Sequence, residues 1–230
     1  MVASIRFWLR AFNIIDKEEQ PSELGKLLFG HAGFDPYLED DATLWLLHYH
    51  LIFEGIASTY SIIFNELRKE HIEFNRDNYI GFLKRKLEGI LNFNVKTVAD
   101  DFDVFRKMYV GSADAKTSIE DSFSGLLTDL HLVQTIGKGK DERLFIDDSE
   151  RQTLPCEIVL YSILNNISFG SSISLNNLLF SSSHLQMLSS HFLTNLPAHG
   201  VTSSTNLPSL STKLMKVIPL ALATKLSSSP

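Results

Sequence analysis

The sequence predicts a mainly α protein: a helical domain with helix-turn-helix and winged-helix-like subregions and small β wings. Two observations carry this. Apolar residues recur at helical spacing through most of the first 165 residues, with short Gly, Pro, Asn or Asp turns between the periodic segments. Strand character is confined to two brief stretches around one polar, Gly-containing tip.

The elements follow in order. Ser4 to Phe12 reads as a helix with Ile5, Trp8, Leu9 and Phe12 on one face and Arg6 and Arg10 on another. A helix that opens so early, with no capping run before it, is expected to be the second half of a motif whose first half is missing. Pro21 to Gly25 reads as a short helix start, with Pro21 preset for the first turn, and residues 30–36 as a loop. Asp40 or Asp41 is a suitable N-cap for a helix over 42–55, whose apolar load (Leu44, Trp45, Leu47, Leu51, Ile52) is too broad for a surface helix. Residues 58–69 continue helical with Tyr60, Ile63, Phe64 and Leu67 inward. Asn75 starts the next helix, over 79–91, which carries Lys84, Arg85 and Lys86. After a short turn, 95–109 is helical with Val98, Phe102, Phe105 and Tyr109 on one side. Two helices across such a turn have the spacing of a helix-turn-helix. Residues 126–133 read as a short helix or strand entry, 137–142 as a polar tip and 143–146 as a strand, together resembling a wing. A last helix spans 154–164.

Residues 2–165 are therefore expected to form the helical domain, and 166–230 a Ser/Leu-rich tail. The tail lacks Asp, Glu and Arg and keeps only Lys213, Lys216 and Lys225 as charges, whereas natural mobile tails are charged and poor in Leu. It is expected to be poorly ordered or in part an out-of-frame translation starting near 180–190. The alternative is a linker with a partner-binding segment at Leu214 to Leu222.

Net charge is −6, so bulk electrostatics give no argument for nucleic acid, and any DNA contact must come from a local basic face. The lone cysteine, Cys156, excludes an internal disulfide framework and a Cys-based zinc cluster. Arg6 and Arg10 interrupt the first apolar run, so no signal peptide is read, and no apolar run is long enough for a membrane span. A cytoplasmic location without membrane contact is expected.

No P-loop, GxSxG, HExxH or CxxC is present, and no cofactor is expected. The dense polar group is Glu39, Asp40 and Asp41 with His48 and His50, types that could hold a divalent metal. Asp41 and His48 lie about two helical turns apart, too far for one ion. A capping Asp and a core histidine are the structural reading. Arg6 with Arg10, and Lys84, Arg85 and Lys86 with Lys96, Arg106 and Lys107, could meet phosphates, or could be solvated faces. Lys138 and Lys140, at the glycine-containing tip, are available for a backbone contact.

Three stretches, Val2 to Phe12 (VASIRFWLRAF), Leu24 to Phe29 (LGKLLF) and Phe34 to His48 (FDPYLEDDATLWLLH), resemble the bacterial family called domain of unknown function 4007. The likeness continues through Phe64 to Glu66, Val95 to Asp103, Ser118 to Ser122 and Leu154 to Glu157, over roughly residues 2–180. Asp35, Pro36, Trp45 and His48 belong to its most specific run and are expected to be structural.

The resemblance implies a DNA-associated component of a DNA phosphorothioate modification or restriction system, a form of anti-phage defence. That family includes SspB-type proteins, partners of a cysteine desulfurase, an ATPase and a sulfurtransferase-like protein. It also implies an N-terminal segment, expected to be missing here, and a charged helical C-terminus, in whose place the Ser/Leu tail stands. Partners would be DNA and other proteins of the operon, with a homodimer open. Two alternatives remain: a non-catalytic adaptor for the sulfur-transfer partners, and a metal-dependent DNA nickase using Glu39, Asp40, Asp41 or Glu120.

Overall fold

A computed structural model describes residues 2–88, 93–110, 125–147 and 153–165. The expected tail at 166–230 lies outside the described residues. The chain divides, after Tyr49, into one compact unit of residues 1–49 with 150–230 and a second of residues 50–149. Among the described residues the architecture is mainly helical with one small antiparallel sheet, as the sequence predicts. None of their helices is long and apolar enough to cross a membrane.

In the first unit, α1 (Val2–Ala11) is followed by a turn and α2 (Glu23–Phe29). Ala11 and Phe12 are buried, but Ile5, on the same apolar face, is 54% exposed: among the described residues, burial is confined to the C-terminal end of α1. Pro21 does not open α2. It pairs with Ile15 in an isolated bridge, and Ser22 caps the helix, its Oγ accepting from Gly25 N at 2.9 Å. α2 approaches the preceding chain closely: a Cβ on Gly25 would lie 2.2 Å from the Ile14 carbonyl oxygen.

α3 (Asp41–Phe53) starts where Asp40 Oδ1 accepts from Ala42 N at 2.9 Å, which makes Asp40 the cap. Leu44, Trp45, Leu46 and Leu47 are buried, each contributing roughly 1.5–3 kcal/mol by leaving water. α8 (Cys156–Asn165) returns against this helix. Tyr161 meets Tyr49 edge-on at 5.7 Å, and Asn165 Nδ2 donates to the Tyr49 hydroxyl at 3.4 Å. Just before α8, Thr153 Oγ1 accepts from Trp45 Nε1 at 3.3 Å.

The second unit takes in the last turn of α3 and continues with α4 (Ser58–Ile62), which runs through a π turn (Ile63–Leu67) into α5 (Arg68–Glu70). Next come β1 (Glu73–Phe74), α6 (Arg76–Lys86) and α7 (Val95–Tyr109). After a 3₁₀ turn (Thr128–Leu130) the described elements of this unit end with β2 (Val133–Ile136) and β3 (Arg143–Ile146). The strands lie in the order β1-β3-β2, with Phe74 opposite Leu144 and Val133 opposite Ile146. α6 begins three residues earlier than the apolar period suggests, because Asn75 and Asn78 form a reciprocal capping box.

An aromatic core holds this unit together. Phe64 and Phe105 meet at 5.9 Å, Phe64 and Tyr109 at 5.3 Å, and Tyr79 and Phe102 at 5.7 Å. Offset and edge-on pairs of this kind add about 0.5–1.5 kcal/mol each beyond burial. The Tyr79 hydroxyl is pushed up to about 12, chiefly by burial, while its hydrogen bond to Thr59 Oγ1 at 3.0 Å works against the rise.

Candidate nucleic-acid interface

Helices α6 and α7 with the β2–β3 hairpin form the surface best suited to a polyanion. Asn94 caps α7, its Oδ1 accepting from Lys96 N at 3.0 Å and Thr97 N at 3.3 Å. Phe102, Phe105 and Tyr109 are buried on one side of α7. The opposite side is a solvent crest on which Lys96, Asp100, Asp103 and Lys107 follow one another at helical spacing.

The hairpin tip needs left-handed backbone. Gly137 has φ 79°, and a Cβ there would lie 2.7 Å from the Asp141 carbonyl oxygen. Lys138 is exposed at this tip. Two ion pairs, one of them bidentate, line a cleft of about 500 Å³ between α7, the start of α6 and the hairpin. Arg106 donates to Glu142 from Nε at 2.8 Å and Nη2 at 2.7 Å. Arg76 Nη2 donates to both carboxylate oxygens of Asp103 at 2.5 Å. The Arg106 hydrogen bonds hold the Glu142 carboxyl below the usual carboxylate range, against the effect of burial. Burial, and then the neighbouring Asp100, push the Asp101 carboxyl up.

The cations expected to meet phosphate divide into two kinds. Arg85 pairs with Glu70 at 2.7 Å and stacks over Phe82, Lys86 pairs with Glu66, and Arg143 lies 3.6 Å from Glu73 across the sheet. Lys84, Lys96, Lys107 and Lys138 carry no carboxylate partner among the described residues. Lys140 falls in a 3₁₀ turn (Gly139–Asp141), and its side chain lies outside the described residues. Arg76, Glu142 and Asp103 were missed by sequence reasoning. Arg76 had a local signal, directly after the capping Asn75, whereas Glu142 becomes a partner only once the hairpin has folded.

In the other unit, Arg6 and Arg10 both reach Glu19, at 3.4 and 3.2 Å. Asp35 is buried and organises the Asp-Pro-Tyr-Leu-Glu-Asp loop, its Oδ1 accepting from Glu39 N at 2.9 Å and its Oδ2 from Asp40 N at 3.1 Å. Pro36 lies within that loop. His48 is buried and meets Trp45 at a near-perpendicular 5.8 Å between ring centres; His50, the first residue of the 50–149 unit, has Nδ1 3.3 Å from Glu54 Oε1. Of the acidic candidates, Asp40 acts as a cap, Glu39 and Asp41 sit beside it, and Glu120 lies outside the described residues. Among the described residues no group of three or more His, Cys, Asp or Glu side chains could hold a metal ion.

The family described as protein of unknown function (DUF4007) matches residues 1–193. The chain belongs to this family. The DUF4007 match runs past the last described helix into the Ser/Leu-rich stretch. No curated protein matches the sequence. Among solved structures, the chain resembles a magnesium-ion-bound SspB crystal structure with a TM-score of 0.64 and 25% identity. That likeness covers 77% of this chain and 57% of that one, so the DUF4007 chain spans a little over half the length of that relative. A second SspB crystal structure is similar in fold, with a TM-score of 0.70 at 21% identity, over 100% of this chain and 77% of that one.

Proposed function

We propose that this DUF4007 protein is a DNA-associated component of a bacterial DNA phosphorothioate modification and defence system, and that residues 50–149 form its winged-helix DNA-binding module. The observation that carries the reading is the order helix–strand–helix–helix–strand–strand with the sheet arranged β1-β3-β2. In that arrangement α7 is the second helix of a helix-turn-helix and the β2–β3 hairpin is the wing. The similarity to SspB supports the assignment to phosphorothioation.

The interface follows from charge. Double-stranded DNA attracts cations that are free to replace its counterions. Lys96 opens the exposed N-terminal turn of α7, which would enter the major groove beside Thr97. Lys138, at the tip, would meet the neighbouring backbone and contribute position rather than sequence reading. Asp100 and Asp103 on the same crest oppose phosphate and restrict the approach to the N-terminal end of α7. The test is duplex binding by fluorescence anisotropy over a range of salt. Lys96→Ala and Lys138→Ala should each weaken binding and lower the salt slope by about one. Unchanged slopes in both variants would remove this interface.

One observation favours a second reading, a non-catalytic adaptor. Arg76, Arg85, Lys86, Arg106 and Arg143 are each engaged by a carboxylate of their own unit, which leaves little uncommitted positive charge for DNA. An adaptor would co-purify with sulfur-transfer proteins of the same operon and show no retention on DNA.

A further inference from the structure

Arg6 and Arg10 stand one turn apart on α1 and converge on a single atom. Glu19 Oε1 lies 3.4 Å from Arg6 Nη1 and 3.2 Å from Arg10 Nη2. Three features set this cluster apart from an ordinary surface ion pair. The backbone of Glu19 is left-handed, with φ 62°, a conformation that a non-glycine residue keeps only when its surroundings impose it. The surrounding turn does so: Asp16 N donates to Gln20 O at 2.9 Å, and Gln20 N donates back to Asp16 Oδ1 at 2.8 Å. Next, Arg10 Nε is buried and has no acceptor among the described residues, although its Nη2 also reaches the Lys17 carbonyl at 3.4 Å. Buried donors left unmet are rare and call for a cause. Finally, Lys17, in the same turn, is exposed and has no carboxylate partner among the described residues.

We propose that Arg6, Arg10 and the 16–20 turn form a site for one phosphate group, whose place the Glu19 carboxylate fills in its absence. A carboxylate presents two coplanar oxygens, and here one of them serves both guanidinium groups. A phosphate presents its oxygens tetrahedrally, so it can bridge both arginines and supply an acceptor for the unmet Nε as well. Lys17 adds charge at the rim. Glu19 can leave without unfolding anything, since its side chain is already 40% exposed. The group could be a phosphodiester of DNA or a free phosphate. The first source rests on the function proposed above, and the second does not.

The test uses the full chain, a Glu19→Asn variant and the triple variant that adds Arg6→Ala and Arg10→Ala. Asn tolerates left-handed backbone, so the first variant removes the competing charge and keeps the turn. Glu19→Gly, which suits that φ better still, serves if Asn lowers the melting temperature. Inorganic phosphate is titrated by calorimetry and a duplex oligonucleotide by anisotropy. Glu19→Asn should bind both more tightly than the parent, roughly two- to fivefold given the exposure of the ion pair, and the triple variant should lose the gain. A gain for phosphate alone upholds the site and excludes duplex DNA as its source, even if no variant binds DNA. If Glu19→Asn binds phosphate no better than the parent, the site does not exist.

Discussion

Arg106 and Glu142, 36 residues apart, meet through two hydrogen bonds of 2.8 and 2.7 Å, with both side chains about one-quarter exposed. This pair fastens the β2–β3 hairpin to α7, so the hairpin tip and the helix that would enter a groove keep a fixed relation within their unit. A bidentate, partly buried pair of this kind exceeds the usual surface ion pair.

Glu142→Gln should therefore destabilise the fold by roughly 1–2 kcal/mol at neutral pH. The sign with pH follows from the lowered carboxyl. A group whose folded pKa is depressed contributes stability above its unfolded value, near 4.5, and that contribution is lost as pH falls through the lower folded value. Melting curves of parent and variant should differ at pH 7 and converge well below pH 4.5. A constant difference across that range would mean that the pair's charge is not what stabilises the hairpin.

Asp35→Ala should loosen the loop before α3. The Asp35 carboxylate takes hydrogen bonds from the Glu39 and Asp40 amides while Leu38, just before Glu39, is held left-handed at φ 59°. Losing both charge-assisted bonds should cost about 1.5–3 kcal/mol. Asp35→Asn, which retains an acceptor, should cost less. Equal melting temperatures for the two variants would show that the loop is held by packing instead.

Gly25→Ala offers a test in which helix propensity and packing predict opposite signs. Inside a helix, Ala normally gains about 0.5–1 kcal/mol over Gly. Here the new Cβ would lie 2.2 Å from the Ile14 carbonyl, whose oxygen also accepts from Ser22 N at 2.9 Å. Backbone must move, so a net loss of roughly 1–3 kcal/mol is expected in chemical denaturation. A gain would mean that α2 shifts without cost.

Asp101→Asn should raise stability slightly at neutral pH. Burial and Asp100 push the Asp101 carboxyl up, so its ionised form is the unfavourable one in the folded chain. The cost is present above the raised pKa and relieved as pH falls through it. Melting temperatures at pH 7 and pH 4 check this, with the larger gain expected at pH 7.

Helix α7, Val95–Tyr109, was legible in the sequence to the residue because Phe102, Phe105 and Tyr109 repeat at helical spacing; its Asn94 cap emerges only in the structure. Strand β3 was legible for a similar reason, as Leu144 and Ile146 alternate inward behind a glycine-containing tip. Local chemistry misled elsewhere. Pro21 has the residue type of a first helical turn, yet pairing with Ile15 holds it in extended backbone. Ile5 has the spacing of a core residue but sits on a part of α1 that is left exposed among the described residues. The candidate site was read by composition alone, which finds cations and not their partners. Glu19 reaches Arg6 and Arg10 through a left-handed turn, and Asp103 reaches Arg76 across two helices. No periodicity announces either contact.

The π turn at Ile63–Leu67 bears on how this chain tolerates changes of length. Such a turn holds one residue more than an α-helix uses over the same stretch. Deleting Asn65 would let the segment close as ordinary α-helix, with Tyr60 before it and the Arg68–Glu70 turn after it keeping their facing. The same deletion in α7 would rotate everything downstream by about 100° and turn Phe105 and Tyr109 out of the core. The helical segment from α4 to α5 thus carries a built-in spare residue, while the helix proposed to read DNA has none.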